Sequence, residues 1–86
     1  MAIVTLRGEG MRTSQDCYEQ FFTAALGFIP DYGGRNLDAL FDDLRELKEP
    51  LTVRFINSAV ARESLGGWFD QFVSALRDSS VEVFLE

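Results

Sequence analysis

Three carboxylates, Asp38, Asp42 and Glu46, follow one another at intervals of four residues within "DYGGRNLDALFDDLREL", residues 31–47. On a helix that spacing stacks them in one column, where like charges cost roughly 0.2–0.5 kcal/mol per pair. Such a column has two chemical uses. Its oxygens can gather a divalent cation such as Mg²⁺, with waters completing the shell. Alternatively, charges one turn apart can meet the Arg and Lys side chains of a basic partner through charge-assisted hydrogen bonds. The plain competitor is a solvated acidic face with no partner at all. For Asp38 that account is ready-made, because the helix dipole favours a carboxylate in the first turn; it opposes Glu46 near the other end. Arg45, three residues beyond Asp42, is placed to neutralise part of the column.

Composition narrows these uses. The 86 residues suit one domain spanning 1–86, and a hydrophobic fraction of 47% with eight phenylalanines supplies a real core. Fourteen acidic against eight basic residues give a net charge of -6, which disfavours nucleic acid and anionic membranes as partners and favours a basic protein. Residues 31–50 carry six carboxylates and three cations, so this one segment supplies half of the net charge. The chain has no histidine, which removes the commonest general base. Carboxylates on a single helical stripe are also spread too far along the axis to enclose an ion. The expectation is therefore a protein that is not an enzyme and holds no metal or cofactor. One cysteine, Cys17, cannot form an internal disulfide and reads as structural, in a reducing compartment. "MAIVTLRGEG" has no signal-peptide pattern and no apolar run approaches the ~18 residues of a membrane span, so the expected location is the cytoplasm.

The elements that must carry the column follow from pattern. "AIVTL" at 2–6 reads as a strand closed by Gly8 and Gly10. Thr13 or Ser14 can cap a helix with Tyr18, Phe21, Phe22, Ala25 and Leu26 on one face, ending at Gly27. "FIPDYGG" is a loop, and Asn36 is a natural N-cap for a second helix running to about Leu47. "PLTVRFIN" at 50–57 reads as a strand. A short helix at 58–62, a turn at Gly66–Gly67, a longer helix at 67–78 and a final strand in "VEVFLE" complete the order. Helical crossovers between strands favour parallel pairing. The fold class is α/β: a small two-layer fold with a three-stranded parallel sheet flanked by about three main helices.

On the second helix, Leu37, Leu40, Leu44 and Leu47 form the stripe that must face the core. Asp38, Asp42 and Glu46 run beside it, with Phe41 at the margin as a possible apolar anchor. In the preceding loop, Gly33 and Gly34 allow a partner's backbone to come close, and Tyr32 can present an aromatic face. Trp68 reads as a core or core-edge residue.

The run Pro30–Leu44, with Tyr32, Gly34, Asn36, Leu37, Asp38, Ala39, Leu40, Phe41, Asp42 and Leu44 in place, resembles the signature of the barstar family of ribonuclease inhibitors. The order of elements fits that family's fold as well. The resemblance implies a bacterial, antitoxin-like protein, monomeric when free. It would bind a small basic secreted-type, barnase-like ribonuclease and plug its active site with the acidic helix and the loop before it. By position, Asp42 would enter the cationic site most deeply and Asp38 would support it. Tyr32 would pack on the enzyme, while Gly34, Asn36 and Leu37 would line the rim and Phe41 would take the place of a larger aromatic. With Glu46, these form the expected contact set.

Several positions depart from the pattern. Arg35 stands where an acidic residue is expected, Gly33 and Leu47 where aromatics are, and Glu46 where a small residue is. A late-helix glutamate of the family falls nearest to Ser74. These changes bear on which ribonuclease is recognised, and they leave open another basic toxin or partner protein as the target. On this reading, calorimetric titration with Mg²⁺ or Mn²⁺ shows no submillimolar binding; a submillimolar site would return the column to metal chemistry.

Overall fold

The computed structural model describes residues 2–25, 36–45 and 50–86, the side chain of Asp43 excepted. Strand β1 (Ala2–Arg7) runs into a single 3-10 turn at Gly8–Gly10, followed by α1 (Ser14–Ala24) and α2 (Leu37–Leu44). Strand β2 (Leu51–Ile56), helices α3 (Ser58–Leu65) and α4 (Gly67–Asp78), and strand β3 (Glu82–Leu85) complete the chain. The three strands form one parallel sheet in the order β1-β2-β3, with Val4 opposite Val53 and Val53 opposite Val83. The α/β architecture is thus the one expected from the pattern. Among the described residues, no helix is long and apolar enough to cross a membrane.

Alternation along the strands decides which face meets the helices. Val4, Leu6, Val53, Phe55 and Val83 are buried on one side, while Ile3, Thr5, Arg54 and Phe84 are exposed on the other. Against the inner face lies a cluster of rings from α1 and α4. Phe72 meets Phe21 at 5.9 Å and Phe55 at 6.5 Å, both near-perpendicular, and Phe55 meets Phe69 at 5.1 Å. These edge-to-face contacts add to burial itself, which stabilises by about 1.5–3 kcal/mol for each large apolar side chain. Cys17 is fully buried in α1, and desolvation pushes its thiol up to about 12, so it packs as a neutral group at ordinary pH.

Local signals set the helix ends. Thr13 is the N-cap of α1: its hydroxyl accepts from the Asp16 N–H, and the Asp16 carboxylate accepts from the N–H groups of Thr13 and Arg12. Tyr18, Phe21, Phe22 and Ala25 are buried as their spacing requires. The helix stops at Ala24, ahead of Gly27, which with Leu26 falls outside the described residues. Gln20 ties α1 to the end of β1, accepting from the Arg7 N–H and donating to the Arg7 carbonyl, each at 3.0 Å.

Helix α3 is longer than the 58–62 expected from the sequence: it runs on to Leu65, whose side chain packs half-buried against the core. Ala61 is buried, the Arg62 guanidinium lies 5.2 Å from the Phe69 ring centroid, and Arg62 pairs with Asp70 at 3.0 Å. The join to α4 is Gly66 alone, at φ +62, ψ -142, a conformation that glycine adopts without a steric penalty; Gly67 already belongs to α4. At its other end α3 packs against the 3-10 turn. A Cβ on Gly8 would come within 2.1 Å of the Asn57 carbonyl oxygen and 3.0 Å of the Ala61 nitrogen. Backbone cannot yield there as a flexible side chain would. Gly8→Ala is expected to destabilise the protein by about 1–3 kcal/mol, read as a lower urea midpoint with an unchanged slope.

Candidate protein interface

Helix α2 is short, and its start is fixed by its own sequence. The Asn36 side-chain oxygen accepts from the Ala39 N–H at 2.8 Å, while its backbone carbonyl accepts from the Leu40 N–H at 3.0 Å. The expected N-cap is therefore in place, and it satisfies one of the free donors of the first turn. At the far end, the Arg45 N–H is shared between the Phe41 and Asp42 carbonyls at 3.3 and 3.2 Å, a tightening common in last turns. The described helix ends at Leu44 rather than near Leu47, and Leu47 lies outside the described residues.

The leucine stripe fixes the rotation of α2. Leu40 and Leu44 are buried in the core, and Leu37 is half-buried against it. Phe41 is also half-buried, at the margin where helical spacing places it. Asp38 and Asp42 are exposed, one turn apart on the outward side. Tyr32, Gly34 and Glu46, the remaining members of the expected contact set, lie outside the described residues, as do Gly33 and Arg35.

One expectation about charge is corrected. Arg45 does not neutralise Asp42; its guanidinium sits over the Phe41 ring, 5.5 Å from the centroid. Residues 41 and 45 are i and i+4 neighbours, and the weakly hydrated guanidinium gains a cation–π contact there. Among the described residues, no ion pair engages Asp38 or Asp42; the pairs formed are Arg7–Glu9, Arg54–Glu86 and Arg62–Asp70. Both carboxylates therefore direct their charge outward. Nor do three or more acidic, cysteine or histidine side chains cluster among the described residues in a way that could hold a metal ion.

Beside this face lies a groove of about 300 Å³, lined by Ser14 and Tyr18 of α1, Asn36, Leu37 and Asp38 of α2, and Trp68 of α4. Sequence reasoning assigned Trp68 to the core edge, and it does pack there, half-buried. Its closeness to Asp38 was not foreseen. The available signal was its position one residue outside the Phe69, Phe72, Val73, Leu76 stripe, which leaves part of the ring at the surface.

The chain matches the family model Barstar, described as barstar (barnase inhibitor), over residues 1–83, and it belongs to that family. No significant match among curated proteins was found. Because the Asn36 cap sets the start of the acidic helix, Asn36→Ala is expected to cost about 1 kcal/mol in chemical denaturation.

Proposed function

We propose that the protein inhibits a small basic ribonuclease of the barnase type by laying α2, together with the loop before it, into the enzyme's active site. The observation that carries this reading is the pair Asp38 and Asp42: exposed, one turn apart, and engaged by no ion pair among the described residues. Membership of the family of barnase inhibitors supplies the partner class.

The physics of the fit is direct. A ribonuclease site must be cationic to hold RNA phosphates, so a carboxylate can occupy a phosphate's place and accept from the same donors. Asp42, mid-helix, would reach deepest, and Asp38 would support it from the first turn. Asn36 and Leu37 would form the rim beside them, with Tyr32 and Gly34 contributing from the loop. Phe41, capped by Arg45, would give the edge of the contact an apolar surface, and Glu46 would extend the acidic column. The net charge of -6 would steer a basic partner toward this face, so association should slow as salt screens it. A free monomer acting in the cytoplasm suits this role, with Cys17 a buried, inert thiol.

The geometry makes a sharp distinction between neighbours. Position 43 lies about 100° around the helix from position 42. Asp42→Ala is expected to weaken binding to a barnase-type ribonuclease by at least about 2 kcal/mol, because it leaves the enzyme's cations buried without a partner. Asp43→Ala should change it little, and both variants should keep the fold. Isothermal titration with the two variants measures this; equal losses would sink the helix-plug geometry.

A further inference from the structure

The described helices lie on the Val53 side of the sheet, and among the described residues nothing packs on the other side. That is unusual for parallel strands, whose crossovers normally leave helices on both faces. The open face exposes Ile3, Thr5 and Arg7 of β1, Arg54 of β2, and Glu82 and Phe84 of β3. Of the large apolar side chains exposed among the described residues, Ile3, Phe84 and Leu85 line one shallow depression across it, and only Val60 lies elsewhere. An apolar patch rimmed by charges marks a surface that another molecule covers.

We propose that this face docks on the same face of a second copy of the chain, about a two-fold axis that runs along β2. The charges choose the occupant. Arg7 and Arg54 balance Glu82 and Glu86, in a chain whose net charge is -6. A basic partner finds stronger attraction at the carboxylates of α2, and an acidic one is repelled by the chain as a whole. A second copy brings matching charges in matching positions, as a two-fold interface requires. With the sheets face to face, the axis lays β1 of each copy over β3 of the other. Arg7 pairs with Ile56, and Glu86 follows Leu85, the partner of Phe55, so Arg7 and Glu86 share one row at opposite edges. The axis therefore brings Arg7 of each copy to Glu86 of the other. Thr5, Arg54 and Phe84 form the preceding row, so Phe84 covers Thr5 with Ile3 beside it. Arg54, nearest the axis, donates two hydrogen bonds to the Glu86 carboxylate at 2.8 and 3.0 Å, which limits repulsion between the two copies of Arg54. A carboxylate has about four acceptor sites, so Glu86 can also receive Arg7 of the other copy.

The area sets the strength. Strands β1 and β2 are six residues long. Three strands about 4.8 Å apart, at about 3.3 Å per residue, cover roughly 15 by 20 Å. That falls well short of the ~800 Å² per partner found in stable complexes. The pairing is weak, and the dilute protein is the free monomer of the inhibitor reading. Leu40 and Leu44 seat α2 on the opposite side of the sheet, so each copy in the pair still presents Asp38 and Asp42 outward.

Sedimentation equilibrium of the purified chain from about 10 µM to about 1 mM, a range matched to so small an interface, tests the pairing. The mass should rise with concentration toward that of a dimer. Arg7→Glu and Glu86→Arg should each weaken association at least about tenfold, because each sets like charges together at two places. Mixed in equal amounts, the two variants should associate within about threefold of the unmodified chain, since both contacts then join opposite charges. Ile3→Lys, which leaves those charge pairs in place, should weaken association by placing an ammonium under Phe84. Thermal melts confirm that each variant folds. An unmodified chain that stays monomeric throughout overturns the proposal. Association that all three variants leave unchanged overturns it too, by placing the contact on another surface. So does a mixture that associates no better than either charge variant alone. None of these readouts involves a ribonuclease, so the outcome is separate from that of the inhibitor reading.

Discussion

The seating of Leu40 and Leu44 is the constraint on which the acidic face depends. These two side chains, four residues apart, are buried in the same core as the rings of α1 and α4. Two anchors one turn apart fix both the position and the rotation of a helix. Once they are set, Asp38 and Asp42 have no direction left but outward, and Phe41 must lie at the margin. A helix as short as Leu37–Leu44 has little stability of its own. Its order comes from those leucines and from the Asn36 cap, so the charges are aimed by the core rather than by any contact they make themselves.

That arrangement explains how the protein tolerates a column of like charges. The repulsion between exposed carboxylates one turn apart is a few tenths of a kcal/mol, small beside the burial of a single leucine. Neutralising the column internally would remove the small cost and, with it, the outward field. Arg45, the nearest candidate for that neutralisation, engages the face of Phe41 instead. The effect is a helix face that stays acidic on its outward side. Its one described cation is placed to cover apolar surface.

The core and the exposed acidic face are built from different parts of the chain. The sheet and the aromatic cluster of Phe21, Phe55, Phe69 and Phe72 hold the core, and Gly8 allows α3 to close against the end of β1. The proposed recognition face sits on one short helix docked on that framework. Trp68 joins the two: one side of its ring belongs to the core through Phe72, and its remaining surface opens beside Asp38. Trp68 is tied to the core through Phe72, whereas the Asp38 and Asp42 side chains are exposed.

The sequence by itself determined much of what depends on neighbours within about one helical turn or one strand. Asn36 was legible as a cap and the first cap was narrowed to Thr13 or Ser14; the structure chose Thr13, with Asp16 three residues on, and paired Asn36 with the Ala39 N–H. The leucine stripe placed Leu40 and Leu44 inward and Asp38 and Asp42 outward by period alone, and alternation separated Val53 and Phe55 from Arg54. Only the tertiary structure decided what depends on residues far apart in the chain. The continuation of α3 to Leu65 goes with the packing of that side chain against the core, and Arg62 meets Phe69 and Asp70 across the sharp turn at Gly66. Spacing alone did not decide between Asp42 and Phe41 for Arg45, since both lie within one turn of it; in the structure its guanidinium lies over the Phe41 ring. The meeting of Ser14, Asp38 and Trp68 joins three helices that share no local pattern. It exists because packing against one sheet brings their ends together, and periodicity within a single element carries no information about that convergence.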